Sequence, residues 1–170
     1  MLKTLKLKNL NKKDLFFSNK VPHTLLRHAL NIWGPFRGAG IRVQRISPDF
    51  RHIVVKMSFG ILNANINGSQ FGGSLFAMTD PFYSIMLMKA LGPEFIVWDK
   101  SASIEFKKPG RGPVEAQFSL DQATIDSVHE SMAKSKRSEP TFSVKITDSA
   151  GDTIALVHKT LSVKQHSQKK

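Results

Sequence analysis

The sequence contains no cysteine. That excludes disulfide staples, thiolate nucleophiles and cysteine-based zinc sites. No apolar run is long enough to cross a bilayer. No secretory signal peptide is read at the start, so a cytoplasmic location is expected. The six histidines are scattered, with no pair at metal-ligand spacing, so no metal is expected. No Gly-x-Ser-x-Gly elbow surrounds Ser74, which argues against a serine hydrolase. Acidic side chains are scarce: 13 Asp and Glu stand against 25 Lys and Arg, a formal net charge of +12. Much of the excess sits at the ends, in Lys3, Lys6, Lys8, Lys12, Lys13 and Lys20 and again in Lys164, Lys169 and Lys170. Like charges crowded into termini read as solvated tails. They also suit nucleic acid, an anionic membrane or a polyanionic small molecule. No basic stripe interleaved with aromatics follows in the body, so neither nucleic acid nor a membrane is the expected partner.

What is present suits one domain. The chain has 170 residues, 41% of them apolar, enough for a core. Residues 1–20 read as a basic arm, 21–165 as a single domain and 166–170 as a basic tail. Residues 21–33 carry Leu25, Leu26, Ala29, Leu30 and Trp33 on one helical face. Pro22 opens that helix and Gly34-Pro35 ends it. Residues 40–47 and 51–59 alternate as two strands around the turn "SPDF", where Pro48 presets φ and Asp49 bonds its own backbone. Later strands are read at 95–107, 114–120, 141–147 and 153–163. A polar helix with anchors Ile125, Val128 and Met132 lies among them.

Between the two sets runs "NGSQFGGSLFAMTDPFYSIMLM". Residues 72–91 are apolar on every side, so this long helix must be wrapped by sheet. The expectation is α+β: a curved antiparallel sheet around a long central helix, with an N-terminal helix and a helical insertion. Within the apolar stretch stands Asp80, followed by Pro81. The carboxylate either faces a cleft or satisfies a chain break, since proline removes an N–H and disfavours helix at the residue before it. Gly72 and Gly73 either cap the helix or leave its first N–H groups open to a developing negative charge.

A helix opening with a glycine pair, preceded by an Asn/Gly loop and wrapped by strands, resembles the hotdog-fold acyl-CoA thioesterases, in particular those of the phenylacetate-pathway type. "NINGSQFGGSLFAMTD" supplies Asn65, Gly68, Phe71, Gly72, Gly73 and Asp80 at the spacing of that family. "SASIEFKKPGRGPVEAQFSL" resembles its next strand, turn and strand. The likeness spans roughly 41–163. One position departs: the histidine before the glycine pair is Phe71 here, which is closer to a Phe-Gly-Gly/Asp-Pro branch.

The resemblance implies hydrolysis of an acyl-coenzyme A thioester by a homodimer or homotetramer, with no cofactor beyond the coenzyme A of the substrate. It implies Asp80 as base or nucleophile, the Gly73 N–H as oxyanion donor and Asn65 as the group that orients substrate or water. Phe71, Gly72 and Ser74 would touch the substrate, and Lys107, Lys108 and Arg111 would hold its phosphates. Each residue has a plainer reading: Asn65 as a turn former, the lysines as a solvated turn, Phe71 as core. A non-catalytic acyl-CoA or fatty-acyl binder on the same fold is the alternative. A basic module for nucleic acid or membrane is a further one.

Overall fold

The computed structural model describes residues 21–61 and 63–166; the basic arm at 1–20 and residues 167–170 of the tail lie outside the described residues. The chain opens with α1 (His23–Ile32), capped by Pro22 in extended conformation, and buries Leu26 and Leu30. Leu25 and Trp33 are exposed, so the buried face is narrower than the spacing predicts. The helix stops just before Gly34-Pro35, as expected, but a second one follows at once. Proline fits the first turn of a helix, and α2 (Gly34–Ala39) starts there, placing Phe36 in the core. Gly40, at φ 71°, closes it in a left-handed conformation.

Strands β1 (Ile41–Ile46) and β2 (His52–Met57) form the expected hairpin. Asp49 accepts from the Arg51 N–H and the Ser47 hydroxyl in its turn. A bulge between Val43 and Arg45 adds one residue, which is why Ile46 is buried out of phase with Ile41 and Val43. The remaining strands are β3 (Phe95–Phe106), β4 (Val114–Ser119), the two-residue β5 (Arg137–Ser138), β6 (Thr141–Asp148) and β7 (Thr153–Gln165). They join one sheet in the order β1-β2-β4-β6-β7-β3, with β5 also on β7, and every pairing is antiparallel. Between β4 and β5, Asp121 accepts from the Thr124 N–H and caps α5 (Gln122–Ser135), which buries Ile125, Val128 and Met132 as its spacing predicts.

The long central helix is divided. α3 (Gly72–Ala77) and α4 (Phe82–Leu91) are separated by Met78–Pro81. Pro81 has no N–H to donate back into the first segment, and Thr79 closes that segment by donating its hydroxyl to the Phe76 carbonyl. α4 is the element that the sheet wraps: Phe82, Tyr83, Ile85, Met86 and Leu87 are all buried. Aromatic rings run through this core, Phe36 to Phe82 at 6.0 Å and Phe82 to Phe118 at 4.9 Å between centroids. Tyr83 stacks on Phe142 at 4.2 Å, and burial pushes its phenol up to about 12. The sheet and the divided helix place Asp80 at the joint between α3 and α4, over the inner face of β7.

Candidate functional site

From Ala155 onward strand β7 alternates, with Ala155, Val157, Leu161 and Val163 facing inward and buried. The residue in the middle of that inward row is Lys159, 3% exposed. An ammonium taken out of water loses several kcal/mol of hydration unless it is paired and hydrogen-bonded. Here it donates to Asp80 Oδ1 and to Asp99 Oδ2, each at 3.0 Å. Asp99 comes from β3, just before a bulge between Asp99 and Ser101. Its other oxygen, Oδ1, accepts from the Ser84 hydroxyl of α4 at 3.0 Å. Four elements thus converge on one lysine: the α3–α4 joint, α4, β3 and β7.

The two carboxylates are not equivalent. Asp99 is the more enclosed, its side chain 29% exposed against 54% for Asp80. Burial pushes the Asp80 carboxyl above the ordinary carboxylate range and the neighbouring Asp99 adds to this, while Lys159 pulls the other way. For Asp99, burial also pushes up, but hydrogen bonding to Asp80, Lys159 and Ser84 outweighs it and the group lies below the ordinary range. Asp80, Asp99 and Lys159 together line a cleft of about 190 Å³, bordered by Phe76 and Ala102. The arrangement is a half-exposed carboxylate, held by a buried cation, on the wall of a cleft.

Gly72, the first of the glycine pair, belongs to a second cleft, of about 380 Å³, lined among others by Asn65, Gln70, Leu75 and Phe106. Aromatic rings crowd the start of α3. A methyl on Gly72 would lie 2.9 Å from the Phe106 ring, and one on Gly73 2.5 Å from the ring of Phe71. Phe71 itself is exposed. Ser74 is buried in the first turn of α3. Asn65 organises its own loop: Oδ1 accepts from the Asn67 and Ser69 N–H groups, and Nδ2 donates to the Ser69 hydroxyl at 2.9 Å. Gln70, buried, donates from Nε2 to the carbonyls of Ser58 and Gly112, both at 3.0 Å, and its Oε1 has no hydrogen-bond partner.

Of the basic turn residues, Lys107 and Lys108 line this second cleft, and Arg111 is exposed beyond its lining. Both lysines already face carboxylates, Lys107 that of Glu105, and Lys108 those of Asp152 and Asp148. The hydrogen bond from Lys108 to Asp152 raises its pKa. Within one chain, then, the structure gathers Asn65, Gly72, Lys107 and Lys108 around one cleft and puts Asp80 in the other. Sequence reasoning missed Lys159, Asp99 and Ser84. Lys159 carries a readable signal, a charged residue at an inward position of an otherwise apolar row. Asp99 and Ser84 carry none beyond their closeness to it in the fold.

Residues 23–163 match the model of a family described as a domain of unknown function, DUF4442. No curated protein matches the chain by sequence. Among solved structures, a protein of unknown function and probable thioesterase, PA5026 from Pseudomonas aeruginosa, is similar at a TM-score of 0.75 and 20% identity, over 86% of this chain and 97% of that one. Thioesterase HI1161 from Haemophilus influenzae is similar at a TM-score of 0.63 and 15% identity, over 89% and 95% of the two chains. The E. coli PaaI protein of the phenylacetic acid degradation operon follows at a TM-score of 0.53 and 15% identity, over 82% and 90%. At these identities the likeness establishes the fold, which is the hotdog fold expected from the glycine pair and its surrounding strands.

Proposed function

This chain belongs to the DUF4442 family, and from that premise and the hotdog fold we propose that it hydrolyses the thioester of an acyl-coenzyme A. The observation that carries the reading is the Asp80 carboxylate, half exposed in a cleft and fixed by a buried lysine. A carboxylate so held accepts a proton from water as the water oxygen attacks the thioester carbon. The tetrahedral intermediate then collapses, the carbon–sulfur bond breaks, and the proton on Asp80 passes to the departing thiolate. The products are a carboxylic acid and free coenzyme A. Gly73, at the start of α3, would offer its N–H to the oxyanion. Asn65, Gly72, Phe71 and Ser74 would flank the bound thioester. Lys107, Lys108 and Arg111 would meet the phosphates, the two lysines exchanging exposed carboxylates for a phosphate with higher charge.

The proposed site is completed by a second copy. β3 has no strand on its outer side among the described residues. It runs for 12 residues, and the Asp80 cleft borders its middle while the Gly72 cleft borders its end at Phe106. Antiparallel pairing of two β3 strands about an axis between Ala102 and Ser103 would bring the Gly72 cleft of one copy, at Phe106, against the Asp80 cleft of the other, at Asp99. The exposed rings of Trp98, Phe76 and Phe106 lie beside this edge and favour burial. A homodimer is the smallest assembly that does this; a homotetramer of such dimers keeps the same site.

One observation favours a second reading, an acyl-CoA binder without turnover. The Phe71 ring lies against Gly73, so an apolar group stands where the thioesterases that this chain resembles have a histidine. Thiol release from a panel of acyl-CoA esters decides between them. Wild type turns over and Asp80→Asn falls by about 10²–10⁴-fold, the range of a lost general base. Equal rates in the two proteins remove Asp80 from the chemistry. Tight binding of acyl-CoA without thiol release establishes the binder.

A further inference from the structure

A carboxylate base does not in general call for a buried lysine beside it. A carboxylate in a cleft mouth needs no buried cation to stay ionised at neutral pH, and an inward strand position between Val157 and Leu161 is a costly place for one. Nor is the lysine matched one to one. It faces two carboxylates, so the fully ionised cluster carries one net negative charge. The two are finished differently: Asp99 is tied on one oxygen by Ser84 and on the other by Lys159, whereas Asp80 is held through Oδ1 and opens on the cleft. Asp99 thus anchors the ammonium, and the ammonium aims Asp80.

We infer that Lys159, anchored by Asp99 and Ser84, is the positioning residue for the reactive carboxylate: it fixes Asp80 toward the cleft and supplies the charge against which Asp80 takes up and returns its proton. The inference rests on the hydrolytic reading above for the identity of the reaction, and on the geometry of the cluster for everything else. The charged groups that face Asp80 are Asp99 and Lys159, from β3 and β7. Lys100, also on β3, borders the same cleft and is paired with Glu139 at the surface. Ser84 is the polar group from α4 and Phe76 the apolar neighbour from α3.

Opposite charges on the two neighbours make the test directional. Lys159→Met removes the cation and leaves two carboxylates side by side, so the Asp80 midpoint moves to higher pH. Asp99→Asn removes the anion and leaves the lysine to Asp80 alone, so the midpoint moves to lower pH. Each shift is about 1–3 pH units, the range for a charge within contact distance. Lys159→Arg keeps the charge, so its midpoint stays near that of wild type. The midpoint is read twice: from the carboxyl carbon of Asp80 by NMR titration, and from the acid limb of the pH profile of kcat on acyl-CoA. A residue with a purely structural role would lower kcat without moving the midpoints in opposite directions. Midpoints that do not move, or that move the same way in Lys159→Met and Asp99→Asn, overturn the inference even where wild type hydrolyses thioesters. Opposite NMR shifts in a protein without thiol release sustain the cluster and remove the hydrolytic reading instead. If Lys159→Met fails to fold, Asp99→Asn and Lys159→Arg decide the question between them: a downward shift in the first with none in the second supports the inference, and any other pairing overturns it.

Discussion

Along the outer side of β1 the backbone is met by a side chain, while along the outer side of β3 none of the described strands meets it. Asn31, at the end of α1, donates from Nδ2 to the Val43 carbonyl at 3.0 Å and accepts from the Val43 N–H at 2.7 Å. Its amide takes the place that a neighbouring strand would fill. A bulge at the same point bends the strand away from any flat partner. β3 has its bulge too, but it carries exposed aromatic rings at Trp98 and Phe106 and borders both clefts. An unpaired sheet edge invites pairing unless something blunts it. One rim is finished within the chain; the other is left where the proposed chemistry lies.

The sharpest way to break this comparison is to charge the open rim. Ala102→Glu with Ser103→Glu places like charges opposite one another in an antiparallel β3 pair. The expected result is a monomer by light scattering and loss of acyl-CoA turnover of about 10²-fold or more, since the composite oxyanion and base groups no longer meet. A monomer that retains full turnover would show that each chain holds a complete site. At the closed rim the effect is smaller and of another kind. Asn31→Ala leaves the Val43 N–H and carbonyl without partners, so denaturant unfolding should show a loss of about 1–3 kcal/mol, and the freed β1 rim should add assemblies larger than those of wild type in light scattering. The smallest effect belongs to the β1–β2 turn. Hydrogen bonds from the Ser47 hydroxyl and then the Arg51 N–H hold the Asp49 carboxyl below its ordinary value of 3.8. A depressed carboxyl contributes stability that is whole above the unfolded value and is lost as pH falls through the folded one. Asp49→Ala should therefore destabilise by no more than about 0.5 kcal/mol at neutral pH, because the group is exposed and screened. That gap should close as the solution is acidified below pH 3.8.

The fold was legible because its strands alternate and its turns carry Pro, Gly and Asp. The α5 anchors Ile125, Val128 and Met132 and the hairpin around Asp49 stand where the pattern puts them. Apolar density alone did not show that residues 72–91 form two helices, since α3 and α4 are both apolar and only Pro81 marks the joint. Gly34-Pro35 marks the end of α1 as read, but not the start of α2, because the same proline that ends one helix is suited to start the next. At the candidate site, Gly72 and Asp80 could be picked out by their neighbours in sequence. The partners of Asp80 could not. Lys159 is 79 residues away and Asp99 reaches it only through the pairing of β3 with β7. The separation of Asp80 from the Gly72 cleft is likewise a matter of the fold, because it depends on where β3 passes each of them.

The latch that Asn31 places on β1 sets a limit on growth. A ribbon with two free margins can add copies without end and becomes a fibre, whereas one with a single free margin doubles once about a two-fold axis and is then complete. With one amide closing the far margin, edge-to-edge pairing of the kind proposed at β3 would stop, within the sheet, at a closed pair.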